Sequence, residues 1–325
     1  LDEAFRRNPG YDLRSMLGGT RTELEGIMEL ARDTPSLMLQ AVPVLFLPHD
    51  RNAATSILYS AKQSNLLYAV LFADCKLVTH VSAKRHPLQA SDLLLMINFV
   101  NKAKQLRSQE TWTPLCLPGF NSTGFLHAYA SFVSKSICLL LLSSGESLDQ
   151  FHFCSEAKAK ICLQLQTSGL TDKIESMSYP AFKPASCEAA SSIHLIYRSL
   201  KSGQYFETDI QDHAPLHQGQ DARKRLMSRY INISERLHAS NRQSIDLIAP
   251  LEPAEPNKKG EAESTGQIWD VRDCESVLAL FNPSQFEIYA TFHIFTTPNQ
   301  AMACVLRFAA WVRNNKNDLF MVKEA

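Results

Sequence analysis

The 325-residue sequence has no excess of charge of either sign, since it carries 33 Lys and Arg residues and 33 Asp and Glu residues. Proteins that bind nucleic acids electrostatically carry a basic excess that meets the phosphates, so the balance argues against that class. Neither G-x-x-x-x-G-K-[ST] nor G-x-G-x-x-G occurs in the sequence. We therefore expect no nucleic-acid partner, no nucleotide site and no cofactor on this chain.

Long apolar segments are also missing. The apolar run Ile137 to Leu142 is far shorter than the roughly 20 residues that a membrane-spanning helix needs, and it predicts a buried strand. The opening LDEAFRRNPG has no apolar core of a signal peptide and no initiator Met. We expect a fragment of a longer cytoplasmic protein.

Patterns typical of disulfide frameworks and metal sites do not occur. None of the 8 cysteines lies in a C-x-x-C pair, and several lie in apolar segments, as reduced core thiols do. The 10 histidines are scattered. Pro215 separates His213 from His217 and breaks the helix that would align them. We expect free thiols and no metal.

What the sequence does have is enough apolar residues, 45%, to build real cores. Two segments, 168–191 and the Pro-rich 249–266, predict breaks between packed regions. The other segments predict two strands, a helix, three strands and a helix, given twice. In the first half these are 66–73, 76–82, a helix from 91, 113–117, 124–133, 136–142 and a helix over 146–165, after a helix over 51–64. In the second half they are 193–200, 204–210, a helix over 218–237, 245–249, 276–281, 286–295 and a helix from Thr297-Pro298 to 314.

Short turns between neighbouring strands predict antiparallel pairing. Strands such as LLYAVLFA and SICLLLL are apolar on both faces, so helices must cover both faces of each sheet. The predicted fold class is α+β, with tandem domains whose antiparallel sheets are flanked by helices. The order of elements resembles that of longin and roadblock domains.

The stretch WTPLCLPGFNSTGFLHAYASF, residues 112–132, allows two interpretations. As a hydrolase site it offers Ser122 as nucleophile and His127 as base, although the spacing is one residue too long for G-x-S-x-G and a strand follows where a helix is needed. As a structural corner it offers prolines and glycines for a turn and Trp112 as an anchor. The corner explains more of the residues.

One strand and turn form a candidate interaction surface. The strand residues Leu77, Thr79 and Val81 are modestly apolar, and Lys84 and Arg85 follow in a basic turn. The turn is either a solvated loop or a contact for anionic lipid headgroups or an acidic partner. Near the end of the chain, Phe308, Trp311 and Val312 are expected to pack on the second sheet; this is a separate, structural prediction.

Residues 11–20, 76–96, 112–132 and 286–320 resemble the Mon/SAND family of vacuolar and endosomal fusion proteins. The resemblance implies three longin-type domains per member. On that basis residues 1–35 are the tail of a preceding longin domain with a connecting helix, and 36–170 are the second domain. Residues 171–190 are then a linker and 191–325 the third domain.

The resemblance also implies a heteromeric guanine-nucleotide exchange factor. Its other subunit is a Ccz-type longin protein, its substrate is the late-endosomal or vacuolar Rab GTPase, and an early-endosomal Rab and anionic phosphoinositide membranes recruit it. The expected location is the cytoplasm, peripherally on endosome and vacuole or lysosome membranes. Most of the first longin domain is missing here, so we expect no catalytic residue and no enzyme, only scaffold and recruitment surfaces. A longin-like trafficking adaptor without exchange activity is the alternative.

Overall fold

The computed structural model describes residues 24–25, 27–28, 32, 34–60, 66–83, 86–103, 110–122, 124–144, 148–178, 182–210, 220–246, 266–272 and 274–321. The predicted domain tail over 1–35 lies almost entirely outside these residues. In the first half of the chain the elements are α1 (Ser36–Leu39), β1 (Val42–Pro43), α2 (Arg51–Tyr59), β2 (Leu66–Ala73), β3 (Lys76–Ser82), α3 (Ala90–Ala103), β4 (Thr111–Leu115), β5 (Leu126–Phe132), β6 (Ile137–Ser143), α4 (Leu148–Thr167) and α5 (Leu170–Ser178).

Five of these strands form an antiparallel sheet in the order β3-β2-β6-β5-β4. Alternate residues of β2 and β6 enter two different apolar clusters, as the period of 2 in a strand requires. Val70 and Leu140 pack with α3, whereas Leu71 and Leu139 pack with α2, α4 and α5. Helices thus cover both faces, which confirms the interpretation of the doubly apolar strands.

The second half of the chain repeats the plan. Its elements are β7 (Ser192–Ser199), β8 (Gln204–Glu207), α6 (Gln220–Asp246), β9 (Gly266–Arg272), β10 (Glu275–Asn282), β11 (Phe286–His293), α7 (Pro298–Asn314) and α8 (Lys316–Leu319). The sheet order is β1-β8-β7-β11-β10-β9, with α6 packed on one face and α7 on the other. The predicted α+β class, with antiparallel sheets flanked by helices, is confirmed.

Helix α7 begins where the sequence predicts. Thr297 is the N-cap, Pro298 follows it, and the Thr297 side chain accepts a hydrogen bond from the Gln300 backbone N–H. The Gln300 side chain accepts one from the Thr297 N–H in return, which completes a capping box. Phe308 and Val312 are buried against the sheet as predicted, and Trp311 is half-buried beside them.

Two predictions about elements are wrong. The segment 168–191 is not a simple break, because α5 buries Leu170 and Ile174 against the first sheet and a 3₁₀ turn spans Pro184–Cys187. Residues 245 and 246 of the strand expected at 245–249 are instead the last residues of α6, and the strand at that place in the order is β9. Residues 247–265 lie outside the described part of the chain. The domain boundaries drawn at 36, 171 and 191 stay predictions.

A short connecting segment joins the two sheets. Val42 and Pro43 pair in parallel with β8, and Val44 then bridges in parallel to Leu77 of β3. The Leu45 N–H donates to the Leu77 carbonyl at 3.0 Å. Residues 42–45 therefore occupy the outer edges of both β8 and β3.

The two-residue turn between β2 and β3 carries strain that a substitution can relieve. Asp74 and Cys75 have φ angles of 45° and 64°, as a type I′ turn requires, and this conformation favours glycine at the second position. Since the left-handed region costs a residue with a Cβ about 1–2 kcal/mol, Cys75→Gly is expected to raise the free energy of unfolding by about 1 kcal/mol. Urea unfolding measures this. Cys75→Ala, which removes the thiol but keeps the Cβ, is the control, and a C75G protein no more stable than C75A contradicts the prediction.

Candidate functional site

The predicted interaction strand is largely covered by the protein itself. Leu77 is 0% exposed and Thr79 is 1% exposed. The connecting segment pairs with Leu77, and the Thr55 hydroxyl of α2 lies 2.5 Å from the Thr79 hydroxyl. The prediction that Leu77 and Thr79 offer a free surface is therefore corrected.

The other residues of the predicted surface, Val81, Lys84 and Arg85, are not contradicted by the structure. Val81, further along β3, is half-buried against the cluster that contains α2. Lys84 and Arg85 lie outside the described residues. A contact made by Val81 and the basic turn stays a prediction, whereas the middle of β3 belongs to the core.

The corner at residues 112–125 is fastened by a buried carboxylate. Asp92, in the first turn of α3, is 2% exposed and accepts a hydrogen bond from the Gly119 N–H at 3.0 Å. The ring of the next residue, Phe120, packs edge-on against Tyr68 at 5.9 Å and against His86 at 5.0 Å. The contacts anchor the corner to α3 and β2, which supports the structural interpretation of this stretch.

Gly119 is required because the Asp92 carboxylate lies so close. A Cβ at this position would stand 2.6 Å from Asp92 Oδ2, and overpacking of this kind typically costs 1–3 kcal/mol. Gly119→Ala is expected to lower the free energy of unfolding by about 2 kcal/mol. Ser122→Ala, in the same corner at an exposed position, is the control and is expected to change it by less than about 0.5 kcal/mol. Equal urea midpoints for the two variants would contradict this account of the corner.

The geometry gives the hydrolase alternative no support. Ser122 is exposed on a bend. The His127 ring stacks on Trp112 with centroids 5.3 Å apart, and its Nδ1 atom is buried without a hydrogen-bond partner in the described part of the chain. A nucleophile and its base need a direct hydrogen bond or close approach, and no such contact is found between the two side chains among the described residues.

Within the described residues, no group of three or more His, Cys, Asp or Glu side chains is arranged to hold a metal ion. His213 and His217 lie outside that part of the chain. Among the described residues, none of the helices is both long enough and apolar enough to cross a bilayer.

The second sheet contains a buried ion-pair network that the sequence analysis missed. The Glu287 carboxylate in β11 is 0% exposed and accepts hydrogen bonds from Arg198 at 2.9 Å and, when the ring nitrogen carries the proton, from His238 at 3.0 Å. The Tyr289 hydroxyl donates to it as well. Although burial opposes ionisation, the bonds from His238, Tyr289 and Arg198 hold the pKa of Glu287 below its ordinary value.

A second network fastens α6 to the same face. His194 Nδ1 lies 3.0 Å from the Tyr230 hydroxyl, which lies 2.7 Å from the Thr291 hydroxyl. The Arg223 guanidinium, on α6, donates two hydrogen bonds of 3.0 Å to Glu207. Burial is the largest influence and opposes charge on Glu207, but Arg223, His194 and Lys76 together outweigh it and lower the pKa of that carboxyl to about 2. Both networks fasten α6 to the second sheet.

An exposed apolar turn lies at one end of the second sheet. Phe295 is 93% exposed and Ile294 39% exposed, in the turn between β11 and α7. The Ile294 N–H donates to the Cys274 carbonyl at 3.3 Å, so the turn lies beside the β9–β10 hairpin, whose Val271 is 50% exposed. Arg272 in the same hairpin is paired with Asp270 at 3.1 Å.

Two family matches cover the two sheets. Residues 64–163 match the family described as the second longin domain of FUZ, MON1 and HPS1. Residues 192–316 match the third longin domain of the same proteins. The first match spans β2 to α4 and the second spans β7 to α7, so each match covers one sheet and helices on both its faces.

Curated relatives match along nearly the whole chain. Vacuolar fusion protein MON1 homolog A of Gallus gallus is 28% identical over 99% of this chain and 54% of the relative. Protein SAND of Takifugu rubripes is 27% identical over 99% of this chain and 58% of the relative. Vacuolar fusion protein MON1 of Yarrowia lipolytica is 32% identical over 66% of this chain and 39% of the relative.

The chain spans about half the length of these relatives. The second and third longin domains match in the order in which they occur along the chain. These matches agree with the resemblance to the Mon/SAND family of residues 11–20, 76–96, 112–132 and 286–320. The chain therefore belongs to the Mon/SAND family and contains two longin domains of the FUZ, MON1 and HPS1 type.

Proposed function

We propose that this chain is the scaffold and recruitment part of a Mon-type subunit of a heteromeric guanine-nucleotide exchange factor, which acts in membrane trafficking and fusion at endosomes and vacuoles. The observation that carries the proposal is the match of both longin domains, in order, to relatives named vacuolar fusion protein MON1. The proposed substrate of the complex is the late-endosomal or vacuolar Rab GTPase. The proposed location is cytoplasmic, peripherally on endosome, vacuole and lysosome membranes.

An exchange factor needs no acid–base residues of its own. It holds the switch regions of a GTPase in a conformation that binds Mg²⁺ and nucleotide poorly, and so acts by differential binding of conformations. The proposal therefore assigns this chain no catalytic residue. Its partners are a Ccz-type longin protein, an early-endosomal Rab in the GTP state and membranes with anionic phosphoinositides.

Nucleotide exchange by the complete complex tests the proposal. The full-length relative of this chain is combined with its Ccz-type partner, and release of a fluorescent GDP analogue from the late-endosomal Rab is followed. We expect release to need both subunits. Exchange by the partner alone would contradict the role of this subunit, and no exchange by the pair would favour the adaptor without exchange activity. Ser122→Ala is expected to leave exchange unchanged, and a loss would reopen the hydrolase alternative.

Capture experiments with the 325-residue chain separate partner binding from recruitment. At physiological salt we expect capture by the Ccz-type partner and by the GTP-loaded, not the GDP-loaded, early-endosomal Rab. Reversal of Lys84 and Arg85 to Glu is expected to weaken binding to the Rab or to phosphoinositide vesicles. Lys135→Glu combined with Lys201→Glu, at exposed lysines in the β5–β6 and β7–β8 turns, is the charge-matched control. Unchanged Rab and vesicle binding after the double reversal would contradict a role for the basic turn.

A further inference from the structure

A single buried arginine lies where the two longin domains meet. Arg51, the first residue of α2, is 5% exposed. Its Nη1 atom donates to the Val78 carbonyl in β3. Its Nη2 atom donates to the Leu45 carbonyl of the connecting segment, and to the carbonyls of Asp318 at 2.8 Å and Leu319 at 3.3 Å. One guanidinium thus bonds to three segments that are far apart in sequence.

These acceptors belong to both domains. Val78 is part of the first sheet, whereas Asp318 and Leu319 are the last two residues of α8, which follows the third domain's α7. The final carbonyls of a helix have no partner within it, so Arg51 satisfies carbonyls of the third domain with a side chain of the second. The bond exists only while the domains stay together.

Neighbouring contacts hold the same junction. The Leu47 N–H donates to the Asp318 carbonyl at 3.1 Å, and the His49 N–H donates to the Asp318 carboxylate at 2.9 Å. The Met321 sulfur lies 3.1 Å from His80 Nδ1 in β3. The end of the third domain is therefore seated on the start of α2 and the edge of β3.

The positive charge of Arg51 requires hydrogen-bond acceptors at this buried position. Burial lowers the pKa of Arg51 to about 10, with the Asp318 charge opposing the fall, so the side chain is still cationic at neutral pH. A buried cation that loses its hydrogen-bond acceptors is strongly destabilised. Lysine cannot replace it fully, because only the planar guanidinium presents a fork of donors that reaches several carbonyls at once.

We infer that Arg51 is an interdomain clamp that couples the second and third longin domains into one cooperative unit. Separation of the domains strips Arg51 of two acceptors and α8 of its cap, so unfolding of either domain destabilises the other. The inference does not depend on the proposed function, because it concerns the folding of this chain alone.

Two buried thiols report on each domain separately. Cys154 in α4 and Cys304 in α7 are both 0% exposed and lie in the second and third domains respectively. In a urea series on the full chain, brief alkylation followed by mass spectrometry gives a midpoint for each cysteine. We expect coincident midpoints in the wild type. In Arg51→Met they should separate by about 1 M urea, because a buried carbonyl left without its Arg51 donor costs about as much free energy as 1 M urea removes.

Arg198→Met is the matched control. It removes an arginine that pairs with a buried carboxylate, Glu287, inside the third domain only. With the clamp intact, the destabilised third domain carries the second with it, so both midpoints fall together. Arg51→Lys keeps the charge and some donors, so it is expected to separate the two midpoints less than Arg51→Met does. It is the variant to measure if Arg51→Met does not fold.

Three results would overturn the inference. The first is separated midpoints in the wild type, which would mean that the domains are independent. The second is a common shift of both midpoints in R51M and R51K. It would assign the coupling to the apolar cluster that contains residues of both domains, among them Leu77 and Phe308. The third is separation in R198M as large as in R51M, which would show that any destabilisation uncouples the domains.

Discussion

Replacement of Trp311 by alanine is expected to lower the free energy of unfolding by about 3 kcal/mol. The indole is half-buried and lies among four aromatic rings, with centroid distances of 5.5 Å to Phe46, 5.7 Å to Phe182, 5.9 Å to Phe206 and 6.4 Å to Phe308. Phe46 and Phe182 lie outside the second sheet and its helices, so the indole also ties neighbouring segments to the third domain. The partial exposure of Trp311 places the effect at the low end of the range for a buried tryptophan.

Urea unfolding followed by far-ultraviolet circular dichroism measures this effect. Trp269→Ala is the control, because Trp269 lies on the edge strand β9 and its described aromatic contact is with Phe292 at 6.4 Å. It is expected to cost clearly less. A near-neutral W311A variant would mean that the indole serves as a surface anchor for a partner.

Local signals in the sequence were sufficient for most of the fold. The turn at Asp74-Cys75, the strands apolar on both faces and the Thr297-Pro298 helix start each depend on residues a few positions apart. Period, turn chemistry and capping are properties of such short segments. The repeated element order, and with it the α+β class, followed from them.

Long-range pairing was not accessible in the same way. Val42 and Pro43 pair with β8 about 160 positions away along the chain, and no local pattern marks a two-residue parallel strand. The strand β9 directly follows a Pro-rich segment, whose composition predicts a break between packed regions and gives no sign of a strand. The segment at 245–249 is apolar enough to suggest a strand, but α6 extends into it, because an amphipathic helix continues where its tertiary contacts allow.

The candidate interaction surface failed in part for the same reason. The modest apolar content of β3 suggests a strand with an accessible side, yet the residues that cover Leu77 come from the connecting segment. Glu287 could not be recognised from the sequence either. A lone carboxylate in an apolar strand reads as a solvent-facing position, and only the fold brings Arg198 and His238 to it.

Acidification from pH 6.5 to 4.5 is expected to lower the free energy of unfolding by about 2 kcal/mol through His80, with a further loss through His194. Burial and then the Arg51 charge lower the pKa of His80 from 6.5 to about 4. Burial likewise lowers the pKa of His194, although the Glu207 carboxylate, 3.7 Å from its Nε2 atom, opposes the shift. The unfolded chain therefore binds more protons than the folded chain in this window, and stability falls as the pH falls. The value for His80 is smaller than its full pKa shift implies, because the window from pH 6.5 to 4.5 covers only part of the titration of the unfolded and folded states.

Urea midpoints at pH 7.5, 6.5, 5.5 and 4.5 test the prediction. Carboxyl groups such as Glu207, whose pKa is lowered to about 2, add their own loss as the pH approaches and passes below their unfolded value of 4.5, so the change between pH 6.5 and 5.5 isolates the histidines. His80→Gln removes one titrating group and is expected to flatten the slope, and His86→Gln, at an exposed position, is the control for the loss of a histidine side chain. A midpoint that is constant from pH 6.5 to 4.5, or an H80Q slope equal to that of the wild type, would show that the junction between the domains admits a protonated His80 beside Arg51.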